Sequence, residues 1–211
     1  MVQNKTEAPK RIGRPRAYDP ETALRRATDR FWKGGYSGTS LDDISAETGM
    51  NRPSLYAAFG DKRRLYLKAL EAYWQVSQRV VREALADEGL ALEAALMRAY
   101  DAQLRLYVSD DGLARGCFVV GTGVTEALED GDIRASVAEG FRGLDAAFEA
   151  RFRRAQEKGE LEEGADPAAL AMLASAVLHS LAIRMRTGTP YAALQDIVRQ
   201  VVSMICGHAR G

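Results

Sequence analysis

From Asp19 onward, apolar residues return at intervals of three and four, whereas the first 18 positions show no such rhythm. Asp19-Pro20-Glu21 reads as a cap, a first-turn proline and a first-turn acid. Leu24, Ala27 and Phe31 then mark a helix over about residues 20 to 33, which Gly34-Gly35 stops. Thr39 and Ser40 are cap candidates for a short second helix that carries Leu41, Ile44 and Thr48 and ends at Gly49. Asn51 caps a third, with Pro53 in its first turn, running through Leu55 and Tyr56 to Phe59. Two short helices meeting across a tight glycine-containing turn are the signature of a helix-turn-helix. Gly60 ends the third helix, and Asp61 caps a longer fourth that carries Leu65, Leu67, Leu70, Tyr73 and Trp74.

The rest of the chain keeps the same period. Leu92, Leu96, Tyr100, Leu104 and Tyr107 predict a fifth helix, Phe118 to Leu128 a sixth, and Ile133 through Phe152 a seventh ending near Gly159. Asp166-Pro167 opens an eighth and Gly188-Thr189-Pro190 closes it, before a ninth with a continuous apolar stripe. No stretch alternates as a strand does, so the expected fold is all-α. Residues 1 to 18 form a flexible basic arm, 19 to 64 a three-helix head and 65 to 211 a larger helical domain. Pro167 to Ile183 is a run of 17 residues without a charge. That is at the short limit for a membrane span, and it includes Ser175, His179 and Ser180. A helix apolar all round is otherwise buried all round. Its own domain covers one side and an identical partner the other, which places Leu173, Val177 and Leu181 with Leu194, Val198, Val201 and Ile205 at a homodimer interface.

Charge sharpens the division. The net charge is zero, yet residues 1 to 70 carry 14 Lys/Arg against 8 Asp/Glu, and the remainder carries 15 against 21. A basic front on an acidic body is what a nucleic-acid-binding module fused to a domain that avoids polyanions would show. The two cysteines, Cys117 and Cys206, cannot build a disulfide framework, and no signal-peptide core opens the chain, so a cytoplasmic protein without a membrane segment is expected.

Catalytic patterns are missing. There is no HExxH, CxxC or P-loop, Gly35-Tyr36-Ser37-Gly38 does not match GxSxG, and Gly121-Thr122-Gly123 is a fragment of a dinucleotide fingerprint. Neither an enzyme nor a metal or cofactor site is expected. The helix-turn-helix, in contrast, gives each outward residue a physical role. Leu55 and Phe59 anchor the third helix, leaving Arg52, Ser54, Tyr56 and Ala57 on or near its open side. Arginine forks onto a guanine edge or a phosphate, the hydroxyls reach phosphate oxygens, and Ala57 is small enough to approach a thymine methyl. Lys62, at the start of the fourth helix, is placed to clamp a phosphate. The caps Thr39, Ser40 and Asn51, with Arg14 and Arg16 of the arm, complete the expected contacts to double-stranded DNA.

Gly13-Arg14-Pro15-Arg16, Thr39-Ser40-Leu41-Asp42-Asp43-Ile44, Gly49 through Tyr56, and Phe59-Gly60-Asp61-Lys62 to Leu65 resemble the DNA-binding domain of TetR-family bacterial transcriptional regulators. The resemblance covers about residues 13 to 73. It implies an all-helical homodimer whose last two long helices form a four-helix bundle with the partner's, and a C-terminal domain that binds a small-molecule effector. It also implies that Arg52, Ser54, Tyr56 and Lys62 touch operator DNA. Arg63 stands where that family commonly has an acid. In the C-terminal domain, Trp74, Tyr100, Tyr107, Phe118, Phe141 and Phe148 are either core or the lining of a cavity for an apolar or aromatic effector. His179 has the same two readings. Arg115 and a nearby helix start would lower the thiol pKa of Cys117 and make it a redox or electrophile sensor, whereas a buried cysteine would be a small hydrophobe.

Overall fold

Side chains at the helix starts fix where the chain turns helical, since each satisfies backbone N–H groups that have no partner within the helix. Asp19 accepts from the N–H groups of Glu21 and Thr22, Ser40 from Asp43, Asn51 from Ser54 and Asp61 from Arg64. Asp130 and Asp166 do the same further on. The computed structural model describes residues 19–207, so the arm with Arg14 and Arg16 lies outside the described residues. In order, the helices are α1 (Pro20–Gly34), α2 (Leu41–Thr48), α3 (Arg52–Phe59), α4 (Lys62–Ala86), α5 (Leu92–Leu106), α6 (Val124–Glu126), α7 (Gly131–Glu157), α8 (Pro167–Arg186) and α9 (Tyr191–Gly207). Among the described residues the only β-type pairing is an isolated bridge between Val108 and Ala114.

One element departs from its expected form. The predicted sixth helix breaks into a π-helical turn, Val119–Gly123, followed by the single turn of α6. Gly121 and Gly123 each weaken an α-helix by about 1 kcal/mol relative to alanine. The Thr122 hydroxyl donates to the Phe118 carbonyl at 2.7 Å and lies 2.7 Å from the Tyr66 hydroxyl, which ties this turn to α4.

The head is α1 to α3 closed by the first turns of α4 around Ala27, Phe31, Ile44, Leu55, Phe59, Leu65 and Tyr66, all buried. Gly49 takes the left-handed backbone conformation, φ 70° and ψ 12°, that the turn between α2 and α3 requires. α4 is shared between head and body, packing on α1, α5 and α7, and α8 lies against α7. The approach of α4 to α7 depends on Gly140, where a Cβ would stand 1.9 Å from the Trp74 ring.

α8 and α9 bury within the protomer four of the seven residues expected between subunits. Leu181, Leu194, Val198 and Ile205 belong to the protomer's own core, each at most 3% exposed, so they are not available to a partner. Of the expected residues Leu173 does face outward, as do Met172 and Ile183 of α8 and Met204 of α9, and Val177 and Val201 are half-buried. α8 is long and apolar enough to cross a membrane, with a mean hydropathy of 1.6, yet one side of it is packed on α7 and the π-turn.

Candidate nucleic-acid interface

The two ends of α3 are pinned, and that settles which residues face outward. Leu55 and Phe59 are buried, the Asn51 carboxamide oxygen accepts from the Ser54 N–H at 2.9 Å, and Pro53 sits in the first turn. Arg52, Tyr56 and Ala57 are exposed, Tyr56 to 51%, and Ser54 is half-buried beside them. Ser40 is exposed and forms a capping box with Asp43, accepting from its N–H at 3.1 Å while the Ser40 N–H donates to its carboxylate at 2.8 Å. Thr39 does not belong to this surface. It is 1% exposed, and its hydroxyl donates to the Gly35 carbonyl at 2.7 Å, so its work is to close the α1–α2 connection.

Two pairings were not legible in the sequence. Arg52 Nε and Nη2 donate to the two carboxylate oxygens of Asp42 at 2.8 and 2.5 Å, which holds Asp42 below the usual carboxylate range. The Arg52 side chain therefore leaves α3 already oriented by α2. Lys62 sets its ammonium 4.3 Å from the centre of the Tyr36 ring, a cation–π contact that positions its charge at the head's edge. Ten residues separate Asp42 from Arg52 and twenty-six separate Tyr36 from Lys62, so no helical period relates either pair.

The head is fastened to the body beside Lys62. The Arg63 guanidinium donates to Asp130 and to Asp132 of α7, and the Asp130 carboxyl is lowered to about 2, chiefly by that bond. The Ser37 hydroxyl donates to Glu126 Oε1 at 3.0 Å. An acid at position 63 would repel both aspartates, so this fastening requires the arginine.

The residues expected around an effector are well packed. Trp74 lies edge-on to Phe141 with centroids 5.5 Å apart, and Phe141 lies 4.5 Å from the His179 ring. Tyr100 tilts against Phe148 and donates to the Ala174 carbonyl at 2.9 Å, while Tyr107 donates to that of Leu178 at 3.4 Å. Phe118 is surrounded by Trp32, Tyr66 and Tyr73. Cys117 accepts from the Tyr73 hydroxyl at 3.1 Å, and burial pushes its thiol up. Of the two readings of Cys117 its surroundings fit the small hydrophobe, since the Arg115 guanidinium is turned to Asp29, 2.7 Å away, and to the Trp32 ring. Among the described residues no group of three or more His, Cys, Asp or Glu is placed to hold a metal ion.

Comparison with known proteins agrees with this geometry. Residues 23–69 match the profile described as bacterial regulatory proteins, tetR family, and residues 91–201 match the tetracyclin repressor-like C-terminal domain. The chain is 28% identical over 198 residues to the HTH-type transcriptional repressor ComR of Escherichia coli, covering 93% of this chain and 94% of that one. It is 30% identical over 166 residues to the transcriptional regulator AcuR of Cereibacter sphaeroides, covering 76% and 75%. Among solved structures, a cysteine-substituted form of the TetR family regulator CifR, complexed with a 26-base-pair operator DNA, superposes with a TM-score of 0.81 at 32% identity, covering 90% of this chain and 98% of that one. From the pinned helix-turn-helix to the end of the helical body, the chain belongs to the TetR family of bacterial transcriptional regulators.

Proposed function

We propose that the protein is a transcriptional repressor acting in the cytoplasm, which binds a pseudo-palindromic operator as a homodimer and releases it when an apolar or aromatic small molecule lodges in the molecule. The observation that carries this reading is the open surface of α3, where Arg52, Tyr56 and Ala57 are exposed and Ser54 is half-buried, while Leu55 and Phe59 are buried in the head. A helix so presented enters a major groove with its side chains toward base edges. The likeness to CifR, solved on operator DNA, supports it. The apolar strip of Leu173, Ile183 and Met204 supports a second copy, which would hold two such helices about 34 Å apart, one turn of DNA.

The test is to select genomic fragments with the purified protein and compare its affinity for the selected sequence with that for random DNA across a salt series. A repressor of this kind prefers the selected site by at least about a thousandfold. Equal affinity for both sequences would overturn the reading and leave a nonspecific DNA binder.

A further inference from the structure

Head and body meet along a groove of about 510 Å³ whose walls come from three helices: Leu24 and Trp32 of α1, Ala72, Tyr73 and Val76 of α4, and Leu106 of α5. Its α4 and α5 walls are apolar apart from the Tyr73 hydroxyl, and Asp19, Glu21, Thr22, Arg25 and Thr28 add polar groups along α1 and its cap. At one end stand Asp29 and Arg115, and these two with Trp32 also line a neighbouring groove of about 240 Å³, so the three residues form the partition between the two spaces. The Arg115 guanidinium lies 3.7 Å from the centre of the Trp32 ring and pairs with Asp29.

Two N–H groups in this partition have no acceptor. The Trp32 indole Nε1 and the Arg115 Nε are both sealed from water and hydrogen-bonded to nothing among the described residues. Buried donors are almost always satisfied, and the exceptions call for an explanation. Here two orphaned donors share one partition, at the end of a groove large enough for a small molecule. The Arg115 backbone is anchored here, its carbonyl accepting from Arg186 Nη1 at 3.2 Å, so its side chain enters the partition from a fixed point.

We infer that this junction is a binding site for a small aromatic or apolar molecule carrying a neutral oxygen acceptor, such as a carboxamide or ketone, whose oxygen takes the Trp32 and Arg115 N–H groups while its body fills the groove. A neutral acceptor is specified because Asp29 already balances the charge of Arg115, so an added carboxylate would place a second negative charge beside that pair. The site is distinct from the aromatic core of Trp74, Phe141 and His179. Its regulatory meaning rests on the reading above: an occupant wedged between α1 and α4–α5 moves the head relative to the body.

The chain has two tryptophans, so a nitrogen-15-labelled sample gives two indole N–H signals, from Trp32 and Trp74, which a Trp74→Phe variant assigns. We would titrate the full-length protein with 2-naphthamide, 2-naphthoate and 2-naphthylmethylamine, which share a ring and differ in the polar group. Saturable downfield movement of the Trp32 signal by the amide is expected, with affinity at least tenfold above that for the amine and the carboxylate. Trp32→Phe, which keeps a ring and removes the N–H, and Arg115→Met should each weaken the amide at least tenfold. Movement of the Trp74 signal alone, no movement with any compound, or equal affinity for amide and amine would overturn the assignment, and so would a preference for the carboxylate. The wild-type comparison of the three compounds stands even if a variant fails to fold. Operator affinity measured on the same sample separates the two claims: a Trp32 response without operator recognition sinks the repressor and leaves the site.

Discussion

A single charge on the outward strip of α8 should take the dimer apart and DNA reading with it. Met172, Leu173, Ile183 and Met204 are between 51% and 64% exposed in the protomer. Complete burial of such a side chain is worth about 1.5–3 kcal/mol, so covering the remaining half contributes about 1 kcal/mol each. In a two-fold interface every residue appears twice, which brings the strip to about 8 kcal/mol, with Val177 and Val201 adding to it. Association itself costs at least about 4 kcal/mol, so the margin left by these four residues is at most about 4 kcal/mol. Leu173→Arg removes the gain twice and places two guanidinium groups in an apolar interface, at several kcal/mol per unpaired ion. The loss exceeds the margin. We expect the dimer dissociation constant to rise by at least about a thousandfold, roughly 4 kcal/mol. Sedimentation and full-operator binding on one sample read both consequences, with thermal melting to show that the protomer stays folded. Leu128→Arg, at a site 78% exposed at the end of α6, is the control that should remain dimeric. A Leu173→Arg protein that sediments as a dimer, or a monomer that binds the full operator as tightly as wild type, would refute the reasoning.

Other perturbations address the head and the core. Arg52→Ala should weaken operator binding by about 1–3 kcal/mol in titrations while random-DNA affinity changes little, whereas Tyr56→Phe and Lys62→Ala, each removing a phosphate contact, should weaken both, and Lys62→Ala should lower the salt slope by about one. Gly140→Ala forces the Trp74 ring aside and should cost about 1–3 kcal/mol by chemical denaturation even after the helical gain of alanine. Gly143→Ala, which meets only the movable end of Gln78, should be neutral or stabilising, and equal effects of the two would count against the packing account. Burial holds the His179 imidazole below its ordinary value, so the unfolded chain takes up a proton first as pH falls below about 6.5. Stability should therefore drop between pH 7 and 5.5, and less so in His179→Leu, as melting temperatures would show.

Helix existence was legible because it rests on local signals. Caps at Asp19, Ser40, Asn51, Asp61 and Asp166, stops at Gly49 and Gly60, and the three-four spacing of apolar residues lie within a few positions of what they control. The outward side of α3 followed from the same spacing. What escaped depends on contacts across the fold. Thr39 reads as a cap, but the bend at Gly35 turns its hydroxyl inward, and Ser40 takes the role. Leu181, Leu194, Val198 and Ile205 form a legible stripe, yet periodicity identifies an apolar face without saying whether the chain or a second copy covers it. Arg115 stands two residues from Cys117 in the chain, and its guanidinium is drawn away to Asp29.

The fastening of Arg63 to Asp130 and Asp132 has a mechanical side. A beam can be held at its far end or at its working end, and α4 is held at the working end, one residue from Lys62. Trp74 lies twelve residues further along, about 18 Å at 1.5 Å per residue. A push delivered there reaches the head only as rotation about the clamp, diluted by distance. A shift of the first turn of α7 arrives at Lys62 undiminished, as translation. The corner between α6 and α7 is therefore coupled to the start of α4 through one side chain, whereas Trp74 is coupled to it through more than three turns of helix.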